Sequence, residues 1–175
     1  MIGISSPNYY RDKKSLFLDG VNEYVTITDS NSLSFGNSST DSAFSISAWI
    51  NMVDATSFNI FSKQDITNDI REYVFQSDGT DKLKLFLFYD DSSKSIASAT
   101  TATVTSLENT WAHVVATYSG NSAVSGINLY INGALQAMTT SAAGATSTGR
   151  GRYSRNCSID IRGSRFCSQH VGRPC

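Results

Sequence analysis

Cysteine is missing from the first 149 residues; Cys157, Cys167 and Cys175 all fall in the last stretch. No disulfide framework therefore holds the body. A chain of 175 residues needs none, because a domain of that length buries roughly two-thirds of the surface its unfolded chain exposes. An odd number of thiols cannot all pair within one chain. No apolar run is long enough to cross a bilayer, so no membrane insertion is expected. The start, Met1 to Pro7, lacks the basic residues and the apolar stretch of a secretion signal. The expected location is a virus particle, or the cell exterior reached by another route. Helical periodicity is nearly absent, which argues against a helical domain. A formal net charge of -1 gives no bias towards nucleic acid or acidic membrane surface.

What is present is period-two alternation, the pattern of strands with one face buried. Ser15–Leu18 is a short strand stopped by Asp19 and Gly20, and Glu23–Thr28 alternates again. Residues 29–42 are rich in Ser, Asn, Asp and Gly and read as loop, with Leu33 and Phe35 placed to plug an edge of the core. Phe44–Ile50 is the clearest strand: Phe44, Ile46, Ala48 and Ile50 share one face, Ser45, Ser47 and Trp49 the other. Weaker strands follow at Asn59–Ser62 and Glu72–Gln76. Asp78 and Gly79 then form a turn before Lys82–Tyr89, a hairpin pattern. Lys82 and Lys84 there mark a solvated or edge strand. Ser95–Val104, rich in Thr, Ala and Ser, reads as solvent-facing. Trp111–Tyr118 and Gly126–Ile131 are strongly β. Asn132 and Gly133 are a hairpin turn, since both central positions need positive φ, and Ala134–Met138 is the returning strand. About ten strands with regular turn signals predict an all-β fold, a two-sheet antiparallel β-sandwich or jelly roll.

Ser15–Val25 resembles the opening strand pair of laminin G-like, concanavalin A-like lectin/glucanase modules. Phe44–Ile50 resembles their third strand, Trp111–Gly120 their late core strand, and Ile127–Gly133 the hairpin after it. The resemblance implies a jelly roll of a family whose members mostly bind glycans or proteins. Some hold calcium at a rim, and they occur in secreted bacterial proteins and in phage virions. A non-catalytic module binding a glycan or a protein partner is thus expected. A structural or decorating protein of a phage particle, bound to other virion subunits, is the alternative. A glycoside hydrolase is the third reading.

Glycosidases on this architecture need two carboxylates on one strand face. Asp69 and Glu72 are three apart and would point to opposite faces, and no other strand holds two acids. His113, the one histidine of the body, sits mid-strand and is expected to bond a neighbouring strand rather than act as a base. Cys157, Cys167, His170 and Cys175 lack the spacing of paired zinc ligands. No cofactor is required. Asp19, Asn22 and Glu23 are the candidate calcium ligands, although turn chemistry explains Asp19 and Gly20 equally well. Trp49, Tyr73 and Tyr89 are the candidate ligand-binding aromatics, each compatible with a core position as well.

Residues 1–14 read as an N-terminal arm, long enough to reach a neighbouring subunit, and 15–149 as the sandwich. Residues 150–175 are an atypical tail. Through Gly149 there are 8 basic and 14 acidic residues, but after it come six arginines and one acid, Asp160. Charge, cysteine content and periodicity all break at that point. The expectation is a tail read out of frame, since a shift of one base admits a reading from Tyr153 to Ser168 free of Cys and Arg. A genuine basic tail for an acidic partner is the other reading.

Overall fold

The computed structural model describes residues 16–18, 23–36, 40–68, 70–89 and 95–143, and, as backbone strands, 159–161 and 165–172. In chain order the strands are β1 (Leu16–Phe17), β2 (Val25–Ile27), β3 (Phe44–Ile50), β4 (Asn59–Asp65), β5 (Ile70–Ser77) and β6 (Leu83–Phe88). They continue with β7 (Ser95–Thr100), β8 (Ala112–Tyr118), β9 (Ile127–Ile131), β10 (Ala134–Leu135), β11 (Met138–Ala143), β12 (Ile159–Ile161) and β13 (Arg165–Gly172). A six-stranded sheet has the order β1-β13-β3-β8-β9-β10, and a seven-stranded sheet the order β11-β7-β6-β5-β4-β12-β2. The pairings are antiparallel in both. The chain is the two-sheet jelly roll that its alternation predicts.

Alternation places the core between the sheets. Phe44, Ile46, Ala48 and Ile50 of β3 face Tyr73 and Phe75 of β5 and Leu83, Leu85 and Leu87 of β6, all in one buried cluster. Each such Leu, Ile or Phe contributes roughly 1.5–3 kcal/mol by leaving water. The register of β4 on β5 slips twice, between Asn59 and Phe61 and between Lys63 and Gln64. A bulge turns successive residues the same way, and both Ile60 and Phe61 enter the core. Phe35 plugs the core edge as the sequence suggests, stacked on Phe44 with ring centroids 4.5 Å apart.

Four sequence expectations need correction. Ser95–Thr100 is not solvent-facing: Ala97 and Ser98 are buried, because β6 and β11 flank the strand and longer neighbours cover its small side chains. Lys84 does not mark an edge, for β6 is an inner strand. Its ammonium lies 4.2 Å from the Phe86 ring centroid and 3.6 Å from Asp78. Ala134–Met138 is not one strand: β10 pairs with β9, and the chain then crosses to the other sheet, where β11 pairs with β7. Trp111 does not open a strand: it lies one residue before β8 and is 42% exposed.

Candidate functional site

The outward face of the six-stranded sheet carries Ser45, Ser47 and Trp49 from β3, because the other face of that strand is spent on the core. Trp49 pairs directly with His113 of β8 and leaves 46% of its surface in water. The two rings lie 5.2 Å apart at an interplanar angle of 33°. His113 Nε2 is 2.8 Å from the Ser47 hydroxyl, so the imidazole is bonded to a neighbouring strand and cannot swing away from the indole. Its backbone is fixed as well. The His113 N–H donates to Asn132 Oδ1 at 2.9 Å, and the Asn132 N–H donates to the His113 carbonyl at 2.7 Å. The same face continues through Val115 to half-buried Tyr130, its partner on β9. The result is an oriented indole bordered by a hydroxyl, an imidazole and the hairpin turn at Asn132. A flat apolar ring beside hydrogen-bonding groups suits a ligand with one apolar face and polar edges.

The other candidates do not join it. Tyr73 is corrected from a binding surface to the core: it is 1% exposed, stacked on Phe61, and its hydroxyl donates to the Leu33 carbonyl at 3.1 Å. Tyr89 is half-buried just past the end of β6, on the opposite sheet from Trp49. Asp19 and Asn22 lie outside the described residues, as does Asp69, while Glu23 is exposed. Among the described residues no three His, Cys, Asp or Glu side chains gather as a metal site. Cys167 and His170 fall within β13, whose backbone alone is described, and Cys157 and Cys175 fall outside the described residues.

Two carboxylates that the sequence did not pair, Asp41 and Glu72, line a small cleft walled by Phe35, Phe44, Tyr73 and Tyr118. Both are engaged by the protein itself. Asp41 accepts hydrogen bonds from the Tyr118 and Ser122 hydroxyls. Glu72 accepts the Phe35 N–H at 2.9 Å and the Ser34 hydroxyl at 3.1 Å, and pairs with Lys63 at 2.8 Å. Burial pushes the Glu72 carboxyl above its ordinary range, and these partners offset that only in part. Sequence spacing could not reveal the pair, because Asp41 arrives from a loop.

The family model described as the Concanavalin A-like lectin/glucanases superfamily matches residues 19–155. The crystal structure of the botulinum neurotoxin serotype G binding domain is similar with a TM-score of 0.60 at 16% identity, over 93% of this chain and 42% of that one. The chain thus spans less than half of that toxin domain. A native heptameric SAP-like pentraxin from Limulus polyphemus gives 0.48 at 15% identity, over 85% and 74% of the two chains. The Caenorhabditis elegans galectin LEC-6 gives 0.39 at 15%, over 98% and 100%. At these identities the toxin-domain likeness is one of fold. No curated protein sequence matches the chain. The family match covers most of the residues, and the chain belongs to the concanavalin A-like lectin/glucanases superfamily.

Proposed function

We propose that this member of the superfamily is a recognition module that binds a saccharide across the outward face of its six-stranded sheet, with Trp49 as the stacking platform. The observation that carries the reading is the exposure of that indole: 46% of it stands in water in the body of a strand, although a buried large apolar side chain is worth roughly 1.5–3 kcal/mol. Trp49 gives up part of that gain, while His113 and Ser47 hold it in one orientation. A pyranose ring offers the complement, a C–H face for the indole and hydroxyls for the imidazole, the serine and Asn132. Recognition rather than catalysis fits the occupation of Glu72 by Lys63, Ser34 and Phe35, which leaves that carboxylate tied to the fold.

A glycan array, followed by calorimetry on the best hit, tests this. Trp49→Ala is expected to weaken binding by about tenfold or more, equivalent to about 1.4 kcal/mol, with the circular dichroism spectrum unchanged. Undiminished binding by a folded Trp49→Ala variant overturns the reading.

A further inference from the structure

We infer that the site extends across four strands and takes an uncharged oligosaccharide of trisaccharide length or more, neither a single sugar nor an acidic glycan; this rests on the saccharide reading of Trp49. The row of residues beside Trp49 runs straight over the sheet. Ser47 of β3 pairs with Val115 of β8, Val115 with Tyr130 of β9, and Tyr130 with Leu135 of β10. The first three face outward, because their strand neighbours Ala48, Val114, Ala116 and Leu129 are buried in the core. Leu135 shares the side of Tyr130, its direct partner. Four strands span roughly 14 Å, three spacings of ~4.8 Å. One pyranose ring does not cover that distance.

Apolar surface stays in water at both ends of the span. Leu135 is 58% exposed on β10. Trp49 stands on β3, and Trp111 is 42% exposed just before β8, at the end of that strand where His113 lies. Hydrogen-bonding groups flank the row between these ends. Asn132 is joined to the His113 backbone on one side, and Thr117 pairs with Asn128 on the other. That mixture is the complement of linked pyranose rings, each with C–H faces and hydroxyl edges.

Charge decides which sugars fit. No Asp, Glu, Lys or Arg occurs in Phe44–Ile50 or from Asn109 through Gly149, in a chain that is 17% charged. The strands β3, β8, β9 and β10 therefore carry none. A sulfated or carboxylated sugar laid across them would give up water and meet no cation there. An uncharged sugar loses no such hydration. A protein partner would find no charge on these strands to set its orientation.

Calorimetry on the full chain tests this with gluco-, galacto- and manno-oligosaccharides, from monosaccharide to tetrasaccharide, beside heparin and polygalacturonate fragments of equal length. Affinity for the series that binds is expected to rise about tenfold or more from monosaccharide to trisaccharide, because added rings bind to surface that is already formed. It should be the same at low and high salt, and the acidic fragments should bind more weakly. Tyr130→Ala should remove most of the gain with length and leave the monosaccharide unchanged. Leu135→Ser, at an exposed position that folding tolerates, should do the same in smaller measure. Trp49→Ala should weaken every length. If Trp49→Ala weakens every length but affinity is flat with length, or the acidic fragments bind best, or Tyr130→Ala and Leu135→Ser both leave the trisaccharide unaffected, this inference falls and the Trp49 reading stands. If folded Trp49→Ala binds every length like the wild type, both fall. A mass that rises with concentration in sedimentation, and is returned to 19.0 kDa by Leu135→Ser, would put a second copy of the chain on this face and overturn the inference as well.

Discussion

Lys63 has no exposed side-chain surface, yet its ammonium lies 2.8 Å from Glu72, 3.0 Å from Asp29 and 2.6 Å from the Ser34 hydroxyl. The cluster ties the loop holding Asp29 and Ser34 to β4 and β5, and with it the Phe35 plug. Burial works against the ammonium, but the two carboxylates outweigh it and hold the Lys63 pKa above the ordinary 10.5. The folded chain thus keeps this proton more tightly than the unfolded chain does. That contribution to stability is complete below pH 10.5 and is lost as pH rises through the folded pKa. Lys63→Met, which leaves two carboxylates without their cation, should cost about 3–5 kcal/mol by urea denaturation. The double variant Lys63→Met with Glu72→Gln should recover part of that and show a shallower alkaline fall in stability than the wild type. Nothing local announces this cluster, since a lysine in a strand reads as an outward residue. Trp49 differs in kind: alternation assigned its face correctly, and only the structure shows that 46% of it stays in water there. Its replacement by alanine should therefore cost about 1 kcal/mol rather than the 3–5 expected of a buried tryptophan.

The β9–β10 hairpin was legible because its determinants are adjacent in the chain. Asn132 has φ of 49° and Gly133 of 81°, the left-handed pair that the Asn-Gly signature demands. A Cβ at Gly133 would meet nothing within 4 Å. The penalty for Gly133→Ala is then backbone strain alone, about 1 kcal/mol, and D-alanine at that position should remove it. Thermal unfolding of the two variants reads the difference directly; equal destabilisation by both would mean that a steric clash is at work. The β7 strand was misread for the opposite reason. Its Ala, Ser and Thr side chains carry no mark of burial, and their burial comes from strands before and after it in sequence. The crossing from β10 to β11 was equally illegible, because the choice of sheet depends on which edge is open.

Across the whole molecule, the backbone of residues 165–172 lies between β1 and β3, and that of 159–161 between β4 and β2. Both sheets therefore take strands from each side of residue 150. A chain ended at residue 149 would leave Phe44–Ile50 as an unpaired edge seven residues long. It should lose cooperative unfolding and elute as aggregates in size-exclusion chromatography; a monodisperse product with an unchanged midpoint would contradict the pairing of β3 with β13. The proposal that residues 150–175 are read in a shifted frame is decided by the gene's nucleotide sequence, where stops in the alternative frame end it. Alternation, turn residues and four ordered motifs by themselves determined strands β1 to β9, the faces of β3 and the family, because a period of two and a positive φ are properties of neighbours along the chain. Which outward ring stays in water and which charges meet inside were decided by tertiary structure alone. Those depend on residues such as Asp29, Lys63 and Glu72, or Trp49 and His113, that come together only when the two sheets close.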